Sequence, residues 1–529
     1  GGQPVEFTLD EAELWFPAVQ ASQFSARGSL LGEAFAVQLS GGTFVEHFVQ
    51  KRSPVELKAS GAGAELRIGG TFQRVAAGKG TELDFELTGQ RIGSLAAWLG
   101  VSPGAAQAYA LKGGFVRTGK DISLQIERAR IGASAFAGVA GIREESDTPV
   151  TFADLDFEVL DVKGLMRVLP ERSQAVGSEV LAQGPEALKI DVPILPNGIE
   201  LFDSDLNIVL ARLRLEPIDF TQVSVSANIR DGYVDSAPLR ASAAGAQFQG
   251  NFGIDLRGTV PKVDLHVKSS RVDVGKLLAE LGLVEGLALT AGGFDLGLAV
   301  EGASTREMLE RSRLSVALKD GALTLSAPGA QQGLDIRVPT ATVSAEPHKP
   351  ITLAIDGRID QTPVQMRITT DTLGSFAEPK KRLKMNLGVA MLEAELRLTG
   401  AAPLPVRAED LHFAMDFTGT HFSDFNELLN VDLPPIGPYR LGGEFGSRPS
   451  GFYVQNLELT VGESTLQGTL DLETTRQPPR LDVELVATRI QLDDFETGDW
   501  SATGEQTGPS DVAPAPDAAG VAQAERRSV

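Results

Sequence analysis

Tyr109-Ala-Leu-Lys-Gly113 and Tyr439-Arg-Leu-Gly-Gly443 stand 330 residues apart (439 − 109), and Gly89 to Ile142 reads onto the chain around the second copy without a gap. Gly89/Gly419, Leu99/Leu429, Val101/Val431, Phe115/Phe445, Gly132/Gly462, Ser134/Ser464 and Gly138/Gly468 coincide along the way. Each copy reads as one unit: a short amphipathic helix, a loop bearing Pro or Gly, then amphipathic strands. In Ser423-Asp-Phe-Asn-Glu-Leu-Leu-Asn the apolar residues Phe425, Leu428 and Leu429 lie at i, i+3 and i+4 behind a serine that can cap a helix. Leu95, Trp98 and Leu99 repeat that spacing behind Ser94, with Gly100 as the stop. Val162, Leu165 and Met166, and Val274, Leu277 and Leu278, carry weaker versions. A recurring unit of this kind points to a repeat-built β protein rather than a single enzyme core.

Outward from that unit, alternation dominates. Leu83-Asp-Phe-Glu-Leu is a half-buried strand, and Leu206, Ile208 and Leu210 change parity to Leu213 and Leu215, the slip a β-bulge produces. Asp231-Gly232 and Asp320-Gly321 each sit where a two-residue hairpin turn with positive φ is expected. Ser304-Thr-Arg-Glu307 is a capping box opening a short helix. After about residue 345 the alternation steadies, and every strand has one apolar face. These patterns predict a mainly β protein, a long antiparallel sheet curled into a groove with a few short helices. Its expected segments are an N-terminal groove repeat at 1–150, a central module at 151–345, a C-terminal groove repeat at 346–500, and a disordered tail at 501–529, where Gly, Pro, Ser and Ala cannot repay ordering entropy.

Composition removes several function classes. A net charge of −22 argues against a nucleic-acid partner and against docking on anionic headgroups. Without cysteine there is no thiol catalysis, disulfide or Cys-ligated zinc. No apolar run is long enough to span a membrane, and the start at Gly-Gly-Gln suggests a processed or truncated product. The five histidines lack metal-binding spacing, and His266 and His412 fall on polar parity. Gly132-Ala-Ser134 and Gly462-Glu-Ser464 lack the second glycine of a hydrolase elbow and read as strand turns. Ala77-Gly-Lys-Gly80 fails as a phosphate loop, with Gln73 where glycine is required; Asp203-Ser-Asp205-Leu-Asn207 fails as a calcium loop, with Ile208 in the glycine place. Asp493 and Asp494 are paired carboxylates in a chain rich in acid. No catalytic residue, metal or cofactor is expected.

A sheet with so much apolar face must be covered. Either it folds on itself, or it forms a trough with an open apolar floor, and exposed apolar surface of that extent marks a binding site. The expected floor is Leu411, Phe413, Met415, Phe417, Leu457, Leu459, Val461, Leu466, Leu470, Leu472, Leu481, Val483 and Leu485, with helices at 94–99 and 423–429 as walls. At the usual strand spacing, about 25–30 strands would span roughly 120–140 Å.

The unit around Gly419-Thr-His-Phe-Ser-Asp-Phe-Asn-Glu-Leu-Leu, Pro434-Pro-Ile-Gly-Pro-Tyr-Arg-Leu-Gly-Gly and Gly462-Glu-Ser-Thr-Leu-Gln-Gly resembles the AsmA family of Gram-negative envelope proteins. So does Leu201 to Gly302, with Phe248-Gln-Gly-Asn-Phe, Val272-Asp-Val and Lys276-Leu-Leu. The resemblance covers most of 50–495 and implies a periplasmic β-groove protein similar to bridge-like lipid transfer proteins. It further implies phospholipid acyl chains as ligand, an inner-membrane anchor outside this chain, and envelope proteins as further partners, in support of phospholipid transport toward the outer membrane. The family's N-terminal membrane helix has no counterpart here, and the tail is unlike a family end. A structural or assembly factor acting through protein partners, its sheet faces packed on each other, remains the alternative.

Overall fold

In the computed structural model, residues 7–495 are described apart from 18, 44–51, 74–79, 93–106, 146–147, 167–202, 259, 329–332, 378–381, 430–431 and 477. The expected helix at 94–99 and the segment 501–529 lie outside the described residues. What is described is one sheet of 28 strands, from β1 (Phe7–Trp15) to β28 (Arg480–Arg489), with a few short helices. Each strand pairs antiparallel with the next, with two exceptions. The sheet turns parallel between β10 (Thr148–Asp161) and β11 (Ser204–Leu215), and β15 (Lys262–Ser269) and β16 (Val272–Asp273) both pair with β17 (Ala288–Glu301). Pairing runs straight through residue 150, inside β10, and through 345, so neither boundary expected from sequence interrupts the sheet.

The duplication is structural as well as sequential, and it extends upstream of Gly89. Ala64-Glu-Leu-Arg67 recurs as Ala394-Glu-Leu-Arg397 at the same offset. Seven strands in each copy correspond, from β4 (Arg52–Gly61) to β10 and from β22 (Leu383–Met391) to β28. Their registers agree: Gly89 pairs Tyr109 as Gly419 pairs Tyr439, and Gly138 pairs Leu155 as Gly468 pairs Leu485. The bulge after Lys112 in β7 (Tyr109–Thr118) returns after Gly442 in β25 (Tyr439–Arg448).

Two hairpin expectations part company. Asp231 and Gly232, both at positive φ, close the turn between β12 (Ile218–Ile229) and β13 (Tyr233–Ala243). Asp320-Gly321 does not turn the chain. Asp320 takes φ 51 inside β18 (Arg313–Leu325), which continues past it and pairs with β17 and β19 (Leu334–Ala345) on both sides. A bulge and a primed turn make the same local demand on φ, and here the neighbouring strands decide between them. The parity slip after Leu210 is part of a row of irregularities at Phe157/Val159, Gln222 (φ 51) and Val234/Ala237.

The helices sit where periodicity places them. α1 is Val162–Met166 and α2 is Val274–Glu280, capped by Asp273, whose carboxylate accepts from Lys276 N–H at 2.8 Å. In α3 (Thr305–Glu310) Ser304 Oγ accepts from Glu307 N–H, while Glu307 reaches back to Ala303 N–H rather than to its own cap. At 422–429 a 3-10 turn, Phe422–Phe425, runs into the α-turn Asn426–Leu429. It begins at His421, with Asp424 bonded to His421 N–H and Thr420 Oγ1, so Ser423 is not the cap.

Candidate functional site

Register carries the expected floor residues onto one face of the sheet. Phe413 pairs Phe445, Phe417 pairs Leu441, and Leu441 pairs Leu459; Leu459 then pairs Leu466. Leu470 faces Val483, Leu472 faces Leu481, and Gly468 faces Leu485. Leu457 and Val461 join through Gly468 and Ser464. Because paired residues point the same way and alternate residues share a face, these positions form one continuous apolar surface. Leu411 precedes β24 (His412–Gly419), its N–H donating to Ser447 Oγ at 2.8 Å. His266 and His412 are exposed and belong to the opposite, polar parity.

Burial divides the surface. Phe413, Leu457 and Val461 are 5%, 2% and 1% exposed. Leu411, Met415, Phe417, Leu459, Leu466, Leu470 and Leu472 are half-buried. Leu481, Val483 and Leu485, on the last strand, are 56%, 45% and 39% exposed. In the middle of the sheet the same face is shut: Val272, Ile336, Val338 and Val364 are nearly inaccessible, with Leu278 of α2, Leu287 and Leu428 packed against their cluster. The apolar face therefore passes from a packed interior between β17 and β21 (Thr362–Thr372) to an open wall between β26 (Gly451–Val461) and β28.

Opposite rims of the sheet meet. The segment after α2 forms a parallel bridge, Val284 to Val406, with the loop after β23 (Ala394–Ala402). Glu285 N–H donates to Val406 O (3.0 Å), Val406 N–H to Leu283 O (2.9 Å), and Arg407 pairs both guanidinium arms with Glu285 (2.8 and 3.2 Å). Alternating strand direction puts the end of β16 and the end of β23 on opposite rims. About 34 Å of sheet separates them at seven strand spacings. Thr474 Oγ1, after β27 (Ser464–Glu473), likewise donates to Pro328 O, after β18. Rim meets opposite rim only if the ribbon winds about an axis, one turn taking roughly seven to nine strands of about 4.8 Å each. Nothing in the local sequence signals Glu285 or Arg407 as a clasp.

The repeated unit has its own polar fixture. Ser134 and Ser464, 1% and 0% exposed, follow Gly132 and Gly462 at positive φ and lie under the chain that ends the next strand. Asp161 N–H donates to Ser134 Oγ (3.0 Å) and Gln491 N–H to Ser464 Oγ (2.9 Å), equivalent bonds at the same offset. Asp494 adds a clamp, accepting from Glu463 N–H, Ser464 N–H and Ser464 Oγ. These serines hold turns in place, and Asp494 is a structural acceptor. Tyr109 and Tyr439 are buried, and among the described residues neither hydroxyl has a hydrogen-bond partner. Each ring lies on a glycine: a Cβ at Gly89 or Gly419 would stand 2.4 or 2.3 Å from the phenol oxygen. Phe422 stacks on Tyr439 at 4.0 Å, and burial, helped by Asp424, pushes the Tyr439 phenol up to about 12.

Among the described residues no group of three or more His, Cys, Asp or Glu side chains could hold a metal, and no helix is long and apolar enough to cross a membrane. On the polar face a concavity of about 850 Å³ is lined by Ser224, Arg240, Gln249, His266 and Lys268 among others. Set against known proteins, the chain matches no family model, no curated protein and no solved structure.

Proposed function

We propose that this chain is a non-enzymatic, AsmA-like protein of the Gram-negative envelope. In this reading it holds phospholipid acyl chains against the apolar face of β24–β28 and supports their passage toward the outer membrane. The observation that carries the reading is the open end of that face, where Leu481, Val483 and Leu485 stand exposed beside half-buried Leu466, Leu470 and Leu472. A soluble sheet leaves such a surface uncovered at a cost of about 25 cal/mol per Å² unless something apolar lies on it. An acyl chain fits a wall built from rows of leucine and valine, gaining about 0.8 kcal/mol per buried methylene. Net charge of −22 leaves apolar contact as the means of holding a phospholipid.

The test is organic extraction and mass spectrometry of protein purified without detergent from a Gram-negative host. Co-purifying phospholipid that exchanges with added labelled lipid supports the reading; a folded, monodisperse and lipid-free sample refutes it. The packed cluster from Ala246 to Val364 favours a second reading, an assembly factor whose sheet covers itself and which works through protein partners. A lipid-free sample that captures envelope proteins would transfer the argument to that reading.

A further inference from the structure

The concavity on the polar face lies over β12, β13, β14 (Ala246–Asp255), β15 and β17, between the two copies of the duplicated unit. Pairing sets its lining side by side. Ser224 stands opposite Arg240, Arg240 opposite Gln249, Gln249 opposite Lys268, and Lys268 opposite Asp295. Two residues along the strands, a second row runs through Pro238, Asn251, His266 and Gly297. Alternate residues share a face, so both rows point to the polar side, with neighbours about 4.8 Å apart.

The hollow follows from the side chains. Ser224 and Pro238 are short and Gly297 has none, while Arg240, Gln249, His266 and Lys268 around them are long. Register slips at Thr221/Ser224 and Val234/Ala237 flank β13 on both sides, and irregularities of this kind bend a strand and raise its twist. At Gly297 the missing side chain leaves room for the ring of His266, whose Cε1 and Nδ1 lie 3.6 Å from the Cβ position.

The charge of the lining runs against that of the chain. Acidic residues outnumber Lys and Arg by 70 to 48 overall, yet the lining holds Arg240, His266 and Lys268 against a single carboxylate, Asp295. Lys268 holds that carboxylate at 3.1 Å and keeps two further N–H donors. Among the described residues Arg240 has neither an ion pair nor a hydrogen bond, so its guanidinium donors are open to a ligand. Arginine grips a phosphoryl group through two parallel N–H···O bonds, and lysine adds a point charge. A volume of about 850 Å³ suits a small molecule rather than a bare anion.

We propose that this concavity binds a phosphorylated polyol. Arg240 and Lys268 hold the phosphoryl group beside His266, and Ser224, Ser226 and Gln249 receive the hydroxyls. A glycerophosphoryl group carries this chemistry both as free glycerol 3-phosphate and as the head of phosphatidylglycerol. The site lies on the face opposite Leu481, Val483 and Leu485, and it stands or falls independently of the acyl-chain reading.

The test is isothermal titration of the full chain with glycerol 3-phosphate, with glycerol as the uncharged control, beside co-sedimentation with phosphatidylglycerol vesicles. Saturable binding of glycerol 3-phosphate with a Kd below about 1 mM is expected, and none of glycerol. Arg240→Gln removes an exposed, unpaired side chain, so it should leave the thermal midpoint in place and weaken binding about tenfold or more. Binding of glycerol 3-phosphate without the vesicles assigns the site to a soluble ligand; vesicle binding that Arg240→Gln abolishes assigns it to a lipid head. The proposal is overturned if Arg240→Gln binds as well as the parent chain, if glycerol competes for the site, or if neither probe binds up to about 10 mM.

Discussion

Two leucines on the same apolar face, Leu457 and Leu470, separate a lipid wall from a sealed core. Leu457 is 2% exposed; Leu470 is half-buried between Val454 and the exposed Val483. A glutamate at 457 would have no route to water. Burial of that degree raises a carboxyl pKa by up to about 3–5 units, or roughly 4–7 kcal/mol, a large share of the 5–15 kcal/mol that holds a typical domain. At 470 the carboxylate can turn toward the open end beside β28, so the cost is about 1 kcal/mol of desolvation plus about 1 kcal/mol of lost leucine burial. Leu457→Glu should therefore fail to fold cooperatively, while Leu470→Glu should fold with a midpoint lowered by several degrees. An acyl chain on that wall would lose contact over three or four methylenes, about 3 kcal/mol, so displacement of a fluorescent phospholipid should show roughly 100-fold weaker binding to Leu470→Glu. Wild-type loading by a folded Leu470→Glu protein would refute the wall. Unfolding of both variants would refute the open end and favour a face that packs on itself.

Further expectations concern the clasp and the duplicated tyrosines. Val284→Cys with Val406→Cys, in a chain otherwise free of cysteine, should form a disulfide on mild oxidation and stabilise the protein by up to about 4 kcal/mol in a dithiothreitol-reversible manner. Failure to cross-link would mean the rims stand apart in solution. Arg407→Ala, at an exposed pair, should leave the urea midpoint close to that of the parent protein, and a large drop would make the ion pair rather than the backbone bridge the closure. Tyr439→Phe removes a buried hydroxyl that has no partner among the described residues, and should leave stability at pH 7 unchanged or higher by about 1 kcal/mol. The folded chain keeps a phenol proton that the unfolded chain releases from pH 10.0, so stability should fall as pH rises from there to about 12, and Tyr439→Phe should lack that loss. Gly419→Ala drives a methyl against the Tyr439 ring and should lower stability by about 1–3 kcal/mol; the same change at Gly442, where the nearest contact is 3.8 Å, should cost less.

The alternation is sufficient to put the apolar set from Leu411 to Leu485 on one face of the sheet, because in a half-covered sheet parity and face are one property. Ser134 and Ser464 are legible at strand turns because Gly132-Ala-Ser134 and Gly462-Glu-Ser464 lack the second glycine of a hydrolase elbow. The duplication extends upstream of Gly89 in the sequence as well, where Ala64-Glu-Leu-Arg67 recurs as Ala394-Glu-Leu-Arg397. Asp320-Gly321 misled because positive φ serves a bulge as well as a turn, and only the partners of β18 distinguish them. The parallel join of β10 to β11 follows from pairing between strands separated by a long connection, and periodicity within each strand carries no trace of it. The clasps are set by twist accumulated over many strands, a property of the whole ribbon that no short pattern encodes.

Closure between Val284 and Val406 constrains the number of strands, not the length of loops. An insertion within a hairpin turn between β17 and β22 moves nothing but the turn. Gaining or losing one hairpin there would shift one rim past the other by two strand spacings, about 10 Å, and separate Glu285 from Arg407. The wound part of the sheet thus has a fixed count, like thread on a screw that engages only after whole turns, and variation in size is left to the segments outside the clasps.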